Sequence, residues 1–170
     1  MPISMYSASV PIFVRTLSNM LVWLDKAEAH AAAKKFDTKN FLSQRLTPDM
    51  LPFTAQIQIA TDSVKGCLSR LSGTEAPKWP DTEASFDELR ARIRKAIDYA
   101  KAMPAAKIDG SEERELHLPL RPGKTVPFTG EEVLKLFSLP TFFFHCTMTY
   151  ALLRAGGVDL GKSDFLGPPP

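Results

Sequence analysis

Apolar residues recur at three- and four-residue steps along four stretches of the chain, and each such stretch predicts a helix with one buried stripe. The first runs from about Ser4 to Lys35, with Val10, Phe13, Leu17, Leu21, Leu24 and Ala27 facing inward and Ser4 as its cap. Pro11 inside that pattern implies either a kink or a helix whose first turn begins there. Residues 36–52 break the period, and Thr38, Pro48 and Pro52 read as a connector with one short helical turn near Asn40 to Gln44. Thr47-Pro48-Asp49 has the form of a helix start, so the second helix is expected over about 48–72. Ile57, Ala60, Val64, Leu68 and Leu71 form its core side, and Gly73 ends it.

Pro77 and Pro80 around Trp79 suggest an ordered loop pinned by a buried indole. Ser85 with Glu88 is a capping box opening the third helix, about 85–103. Phe86, Leu89, Ile93, Ile97 and Ala100 turn inward there, while Arg90, Arg92, Arg94, Lys95 and Asp98 are expected mostly on the wet face. Over about 114–128 the period becomes two: Leu116, Leu118 and Leu120 alternate, Pro122-Gly123 turns, and Val126 and Phe128 alternate back. That pattern predicts a hairpin whose prolines, Pro119 and Pro127, confine both strands to edges. A second capping box, Thr129 with Glu132, opens a last helix over about 130–155, its stripe read as Leu134, Phe137, Thr141, Phe144, Met148 and Leu152. Pro140 lies within it, Gly156-Gly157 stops it, and Phe165-Leu166 is a candidate anchor in the tail. The expected fold is all-α, a four-helix bundle in one domain spanning 1–170, with a small β-hairpin between the third and fourth helices.

Composition narrows the function classes. At 170 residues, 44% hydrophobic and 24% charged, the chain is sized and balanced for one globular core. Its 21 basic and 19 acidic residues are spread along the chain, which leaves no electrostatic footprint for nucleic acid. Cys67 and Cys146 each sit in an apolar helical stretch without paired spacing, the pattern of two buried thiols in a reducing compartment. No targeting pattern opens the chain, and the most apolar run, Leu139 to Leu153, carries Thr141, His145, Thr147 and Thr149 and is too short and polar to span a bilayer. A cytoplasmic protein that touches neither membrane nor nucleic acid is expected.

Motifs that announce chemistry are absent: no Gly-rich phosphate loop, no G-x-S-x-G, no H-E-x-x-H. Among the three histidines, His30 is expected on a wet turn and His117 on the outer face of the hairpin. His145 differs, because Thr141 and Thr149 lie four residues either side and place two hydroxyls in its column of the helix. It reads either as a hydrogen-bonded core histidine or as part of a ligand pocket. On the second helix Gln56 and Gln58 interrupt an apolar start, and one of the two must face the core or its rim. Asp62 further along reads as a surface acid.

The stretch His145-Cys-Thr-Met-Thr-Tyr-Ala-Leu-Leu-Arg154-Ala-Gly-Gly-Val-Asp159, followed by Ser163-Asp-Phe-Leu166, resembles the last helix and exit of DinB/YfiT-like proteins. There the pattern is H-x-x-x-H-R-G-Q, a leucine pair with arginine, G-V-D and a D-x-L tail. The opening Ser4-Met-Tyr-Ser-Ala-Ser-Val-Pro11 and the run Phe142-Phe-Phe-His145 resemble, more narrowly, a bacterial domain family of unknown function within that superfamily. The resemblance implies a bundle, often a homodimer, in which three histidines hold a divalent metal such as Zn or Ni and some members are thiol-dependent transferases. Registered on the leucine pair, His145 matches one metal histidine, Thr141 falls where another would stand, and Gln56 or Gln58 falls where the second-helix ligand would be. A hydroxyl and an amide are weak ligands for such ions, so no tightly held metal is expected, and His145 is the one candidate ligand if there is one. Asp49 and Asp62 are further acids that nothing in the sequence places at the site.

Three readings follow. In the first, His145, a glutamine, Thr141 and Thr149 line a polar pocket for a small-molecule ligand, walled by Tyr6, Phe142 and Phe144. In the second, His145 serves a metal- or thiol-dependent transferase or hydrolase as sole imidazole ligand or general base. In the third, the bundle is a structural protein that dimerises.

Overall fold

The four expected helices form, and the structure, a computed structural model, describes residues 3–121 and 123–169. They are Val10–Lys34, Phe53–Ser72, Phe86–Lys101 and a last long helix over Gly130–Ala155. Packing does not follow chain order. The first helix lies on the third, the third on the second, the second on the last, and the last on the first. Phe13, Leu17, Trp23, Ile57, Leu68, Leu89, Ile93, Phe142 and Leu153 fill the common core.

Several boundaries and faces differ from the sequence expectation. The first helix starts at Val10 with Pro11 in its first turn, where the missing N–H has no intrahelical partner to lose. Ser4 instead closes a separate turn, its hydroxyl accepting from the Ser7 amide at 3.2 Å. The second helix begins at Phe53, not near Pro48, because Thr47 engages the Asp49 side chain and Pro52 stands as the extended cap residue. The connector before it carries a helical turn, Lys39–Leu42, whose Phe41 is buried against Phe36 and Phe86.

Arg90 and Arg92 are buried rather than wet. Arg92 donates to Asp62 at 3.0 Å, to Glu83 at 3.0 Å and to the Thr61 hydroxyl at 2.8 Å, and pairs with Asp81 at 2.9 Å. Helical periodicity alone cannot reveal such burial, since it is the acids from other segments that make it affordable. Arg90 is likewise held by Asp25, Glu28 and Asp87.

In the stripe of the last helix Leu134, Met148 and Leu152 are buried as expected, and its middle, Phe137, Thr141 and Phe144, is the largest correction. Residues Val133–Ser138 wind as π-helix between Gly130–Glu132 and Leu139–Ala155. Each wide turn rotates the following residues relative to an α-helical frame, and Pro140, which has no N–H to donate, follows directly. Phe142, Cys146, Thr149, Leu152 and Leu153 therefore face the core, whereas Phe144 is 53% exposed and Phe137 and Thr141 lie at the rim. By length and composition Gly130–Ala155 is apolar enough to cross a membrane, but here it supplies core side chains to the bundle.

The hairpin, β1 (Leu116–Arg121) and β2 (Lys124–Phe128), pairs antiparallel with Leu116 opposite Phe128 and Leu118 opposite Val126. Pro122 of the expected turn, the side chain of Leu120 and the terminal Pro170 lie outside the described residues. Beyond the hairpin, Gly130 is required by contact: a Cβ there would sit 2.0 Å from the Ser111 carbonyl oxygen. The tail returns along the first helix, with Phe165 stacked on Trp23 at 5.4 Å and the indole N–H donating to the Asp164 carbonyl at 2.9 Å. Phe165 is thus the anchor, and Leu166 is exposed.

Candidate functional site

The seam between the second and last helices carries the polar residues that sequence singled out. Gln56 lies one turn into the second helix and is buried. Its Nε2 donates to the Leu51 carbonyl at 2.9 Å, which turns Oε1 toward the last helix. There Oε1 stands 2.7 Å from Nδ1 of His145. Since that oxygen only accepts, the proton of the neutral imidazole sits on Nδ1 and leaves the Nε2 lone pair open. The ring is half-buried, and loss of solvent lowers its pKa from the usual histidine value. At neutral pH His145 is therefore an uncharged ring with one fixed tautomer.

The choice between the two glutamines is decided by this pair. Gln58 points toward the third helix and donates to Glu83 at 2.8 Å. Burial opposes ionisation of Glu83, yet hydrogen bonds from Gln58 and Arg92 outweigh it and hold the carboxyl below its usual range.

The two threonines do not flank the ring as hydroxyl partners. Thr149 is buried and its Oγ1 donates to the His145 carbonyl at 2.9 Å, a bond back along its own helix. Thr141 lies at the rim, lining a neighbouring cleft with Ile59, Ser63 and Arg70. Of the proposed walls, Phe144 meets the His145 ring edge-on at 5.1 Å, while Phe142 is spent in the core against Phe13. Tyr6 belongs to the N-terminal turn, where its amide donates to Asp109 at 2.8 Å. No hydrogen bond among the described residues joins Tyr6 to His145.

The other candidates are placed elsewhere. Asp62 binds Lys65 at 2.7 Å and Arg92 at 3.0 Å, and Asp49 is taken up by Thr47 on the connector. His30 packs edge-on against Phe36, and His117 reaches Glu115 at 3.5 Å on the exposed side of the hairpin. Both cysteines are free and buried. Burial pushes the Cys67 thiol up to about 11 and the Cys146 thiol higher still, so neither is a ready nucleophile. Sequence reasoning missed the Leu51 carbonyl that orients Gln56, because a backbone acceptor leaves no mark on residue type.

A three-histidine metal centre does not fit this arrangement. Gln56 and Thr141 offer an amide and a hydroxyl where imidazoles would be needed, and the Gln56 oxygen is already committed to the protonated face of the ring. Among the described residues no three His, Cys, Asp or Glu side chains gather in a set able to hold an ion.

Comparison with known proteins gives two findings. A family described as a domain of unknown function (DUF1993) matches residues 5–166. A crystal structure of a DinB family member protein from Shewanella denitrificans superposes with a TM-score of 0.90 at 36% identity, covering 97% of this chain and 93% of that one. No curated protein matches.

Proposed function

Because the chain belongs to the DUF1993 family of DinB-like bundles, we propose that it binds a small ligand at His145 and works without a tightly held metal. The observation that carries this reading is the 2.7 Å contact between His145 Nδ1 and Gln56 Oε1. It uses one ring nitrogen for structure and leaves the other as an acceptor on a half-buried ring that the exposed Phe144 meets edge-on. A ligand with a hydroxyl or amide donor next to an apolar group suits that pairing.

The test has two arms. Protein purified without chelator is expected to carry less than a tenth of an equivalent of transition metal, and near-stoichiometric Zn or Ni overturns the metal-free part. A thermal-shift screen of small hydrogen-bond donors is expected to give hits that disappear in His145→Ala. A screen without a hit below millimolar affinity counts against the site.

The open Nε2 also favours a second reading, a thiol-dependent transferase in which the neutral imidazole takes the proton of an incoming thiol. The thiol would belong to the substrate, since Cys67 and Cys146 are buried. Turnover unchanged by His145→Ala removes that reading. We place the homodimer suggested by the family resemblance on the outer face of the last helix, where Leu136 and Phe144 are exposed. A monomer by light scattering at micromolar concentration removes it. Two free buried thiols support a cytoplasmic setting.

A further inference from the structure

A second site lies along the same seam, away from His145. The second and last helices run antiparallel, with Gln56 meeting His145 toward one end and Cys67 lying near Ser138 toward the other. Between them opens a cleft of about 360 Å³ lined by Ile59, Ser63, Gly66, Arg70, Phe137 and Thr141, together with Asp62, Lys65 and Ala76.

Arg70 sets this cleft apart. Arg90 and Arg92 are each held by three carboxylates, yet among the described residues no carboxylate or carbonyl accepts from the Arg70 guanidinium. The other charges at the cleft cancel, because Asp62 and Lys65 pair at 2.7 Å, so Arg70 leaves one net positive charge.

Gly66 explains how the guanidinium lies there. A Cβ at residue 66 would come within 2.8 Å of Arg70 Nη1, so the guanidinium folds back across the space that glycine leaves open and would have to shift for any other residue there. Glycine is a poor helix residue in the middle of twenty. Here it leaves that path across the helix unobstructed.

The opposite wall comes from the π-helical stretch and the turn after it. Phe137 supplies an aromatic surface, and the Thr141 hydroxyl makes no hydrogen bond within the protein among the described residues. The buried Ser138 hydroxyl likewise meets no partner at hydrogen-bonding geometry, although it lies near enough to Cys67 to favour its thiolate slightly. π-Turns inside α-helices frequently mark functional sites.

We propose that this cleft binds a small organic carboxylate, its two oxygens on the Arg70 guanidinium and its apolar body against Phe137 and Ile59. A planar guanidinium matches a carboxylate through two parallel N–H···O bonds. One net positive charge and largely apolar walls favour a monoanion with a hydrocarbon body over a multiply charged phosphate. The proposal does not depend on the His145 reading.

The experiment titrates the isotope-labelled full chain with 4-phenylbutyrate, with the uncharged 4-phenylbutan-1-ol, and with inorganic phosphate, following backbone amide shifts. Phenylbutyrate is expected to shift Gly66 and Thr141 saturably and to bind roughly tenfold or more tightly than the alcohol, as a charge-assisted pair should. Arg70→Gln is expected to remove that advantage. Gly66→Ala is expected to weaken binding likewise; alanine is the better helix former, so the loss is not unfolding. His145→Ala is expected to leave binding intact.

Equal affinity for acid and alcohol, no saturable shift, or full binding by Arg70→Gln overturns the proposal. Tighter binding of phosphate than of phenylbutyrate at the same amides overturns its ligand class. Loss of binding in His145→Ala moves the ligand to the other site and overturns this one.

Discussion

At the scale of single residues, the His145–Gln56 pair shows how one buried amide sets the chemistry of a ring. Leu51 orients Gln56, Gln56 fixes the tautomer, and the tautomer decides which nitrogen is presented. Gln56→Leu leaves the Leu51 carbonyl and His145 Nδ1 without partners, and a cost of about 1–3 kcal/mol in urea denaturation is expected. The same variant should release the tautomer, visible as a mixed population in long-range ¹H–¹⁵N spectra. Burial lowers the histidine pKa in the folded state, so the unfolded chain binds the proton more readily. Stability contributed by neutral His145 is full above the unfolded pKa, about 6.5, and declines as pH falls toward the lower folded value. A pH series of denaturation curves on the wild type and His145→Gln should converge at the acidic end of that window; parallel curves would show that the ring is not desolvated.

At the scale of elements, the two serine and threonine caps were legible because they are written in adjacent residues, although only Thr129 and Glu132 close the full box; Glu88 reaches back to the Ala84 amide instead of that of Ser85. Ser85 accepts from the Glu88 amide at 3.2 Å, and Thr129 accepts from the Glu132 amide at 3.2 Å while Glu132 reaches back to the Thr129 amide. Ser85→Ala and Thr129→Ala are each expected to cost about 1 kcal/mol, measured by thermal or chemical unfolding. The inner face of the last helix was legible only in part: Leu134, Met148 and Leu152 of the expected stripe are buried, but its middle is not. A 3.6-residue period placed Phe144 inside and left Phe142 out of the stripe, whereas the structure buries Phe142 and exposes Phe144; Cys146 is buried, as its apolar surroundings predicted. The cause is the π-helical stretch Val133–Ser138, which changes the phase before Pro140, and no residue type in it signals the wider turn.

At the scale of the whole molecule, Arg92 ties the Trp79 loop to the second helix. It gathers Asp62, Asp81 and Glu83, and Trp79 itself packs edge-on against Tyr99 between Lys65 and Lys95. Arg92→Met leaves Glu83 half-buried without its guanidinium while Asp62 keeps Lys65 and Asp81 turns to solvent, and a loss of about 1–3 kcal/mol is expected at neutral pH. Because Glu83 is held low in the folded wild type, its contribution is present above the ordinary glutamate range and fades as pH falls through the lowered value. The gap between wild type and Arg92→Met should therefore narrow in acid. Removing the tail after Gly161 takes away the Phe165 stack and the Asp164 acceptor of Trp23. A red shift of tryptophan fluorescence is the expected signal, and an unchanged spectrum would show that the tail does not shield the indole.

Helix number, the hairpin, the caps and the DinB-like resemblance were decided by the sequence alone, since each depends on near neighbours and on a repeat that local geometry imposes. Which glutamine meets His145, that Arg90 and Arg92 are buried, and that Arg70 has no carboxylate partner among the described residues were decided only by the tertiary structure. These facts depend on groups brought together from distant segments. A periodic pattern says that a residue faces another element, but the register between elements, shifted here by a π-turn and a fold-back over Gly66, determines which atom it meets.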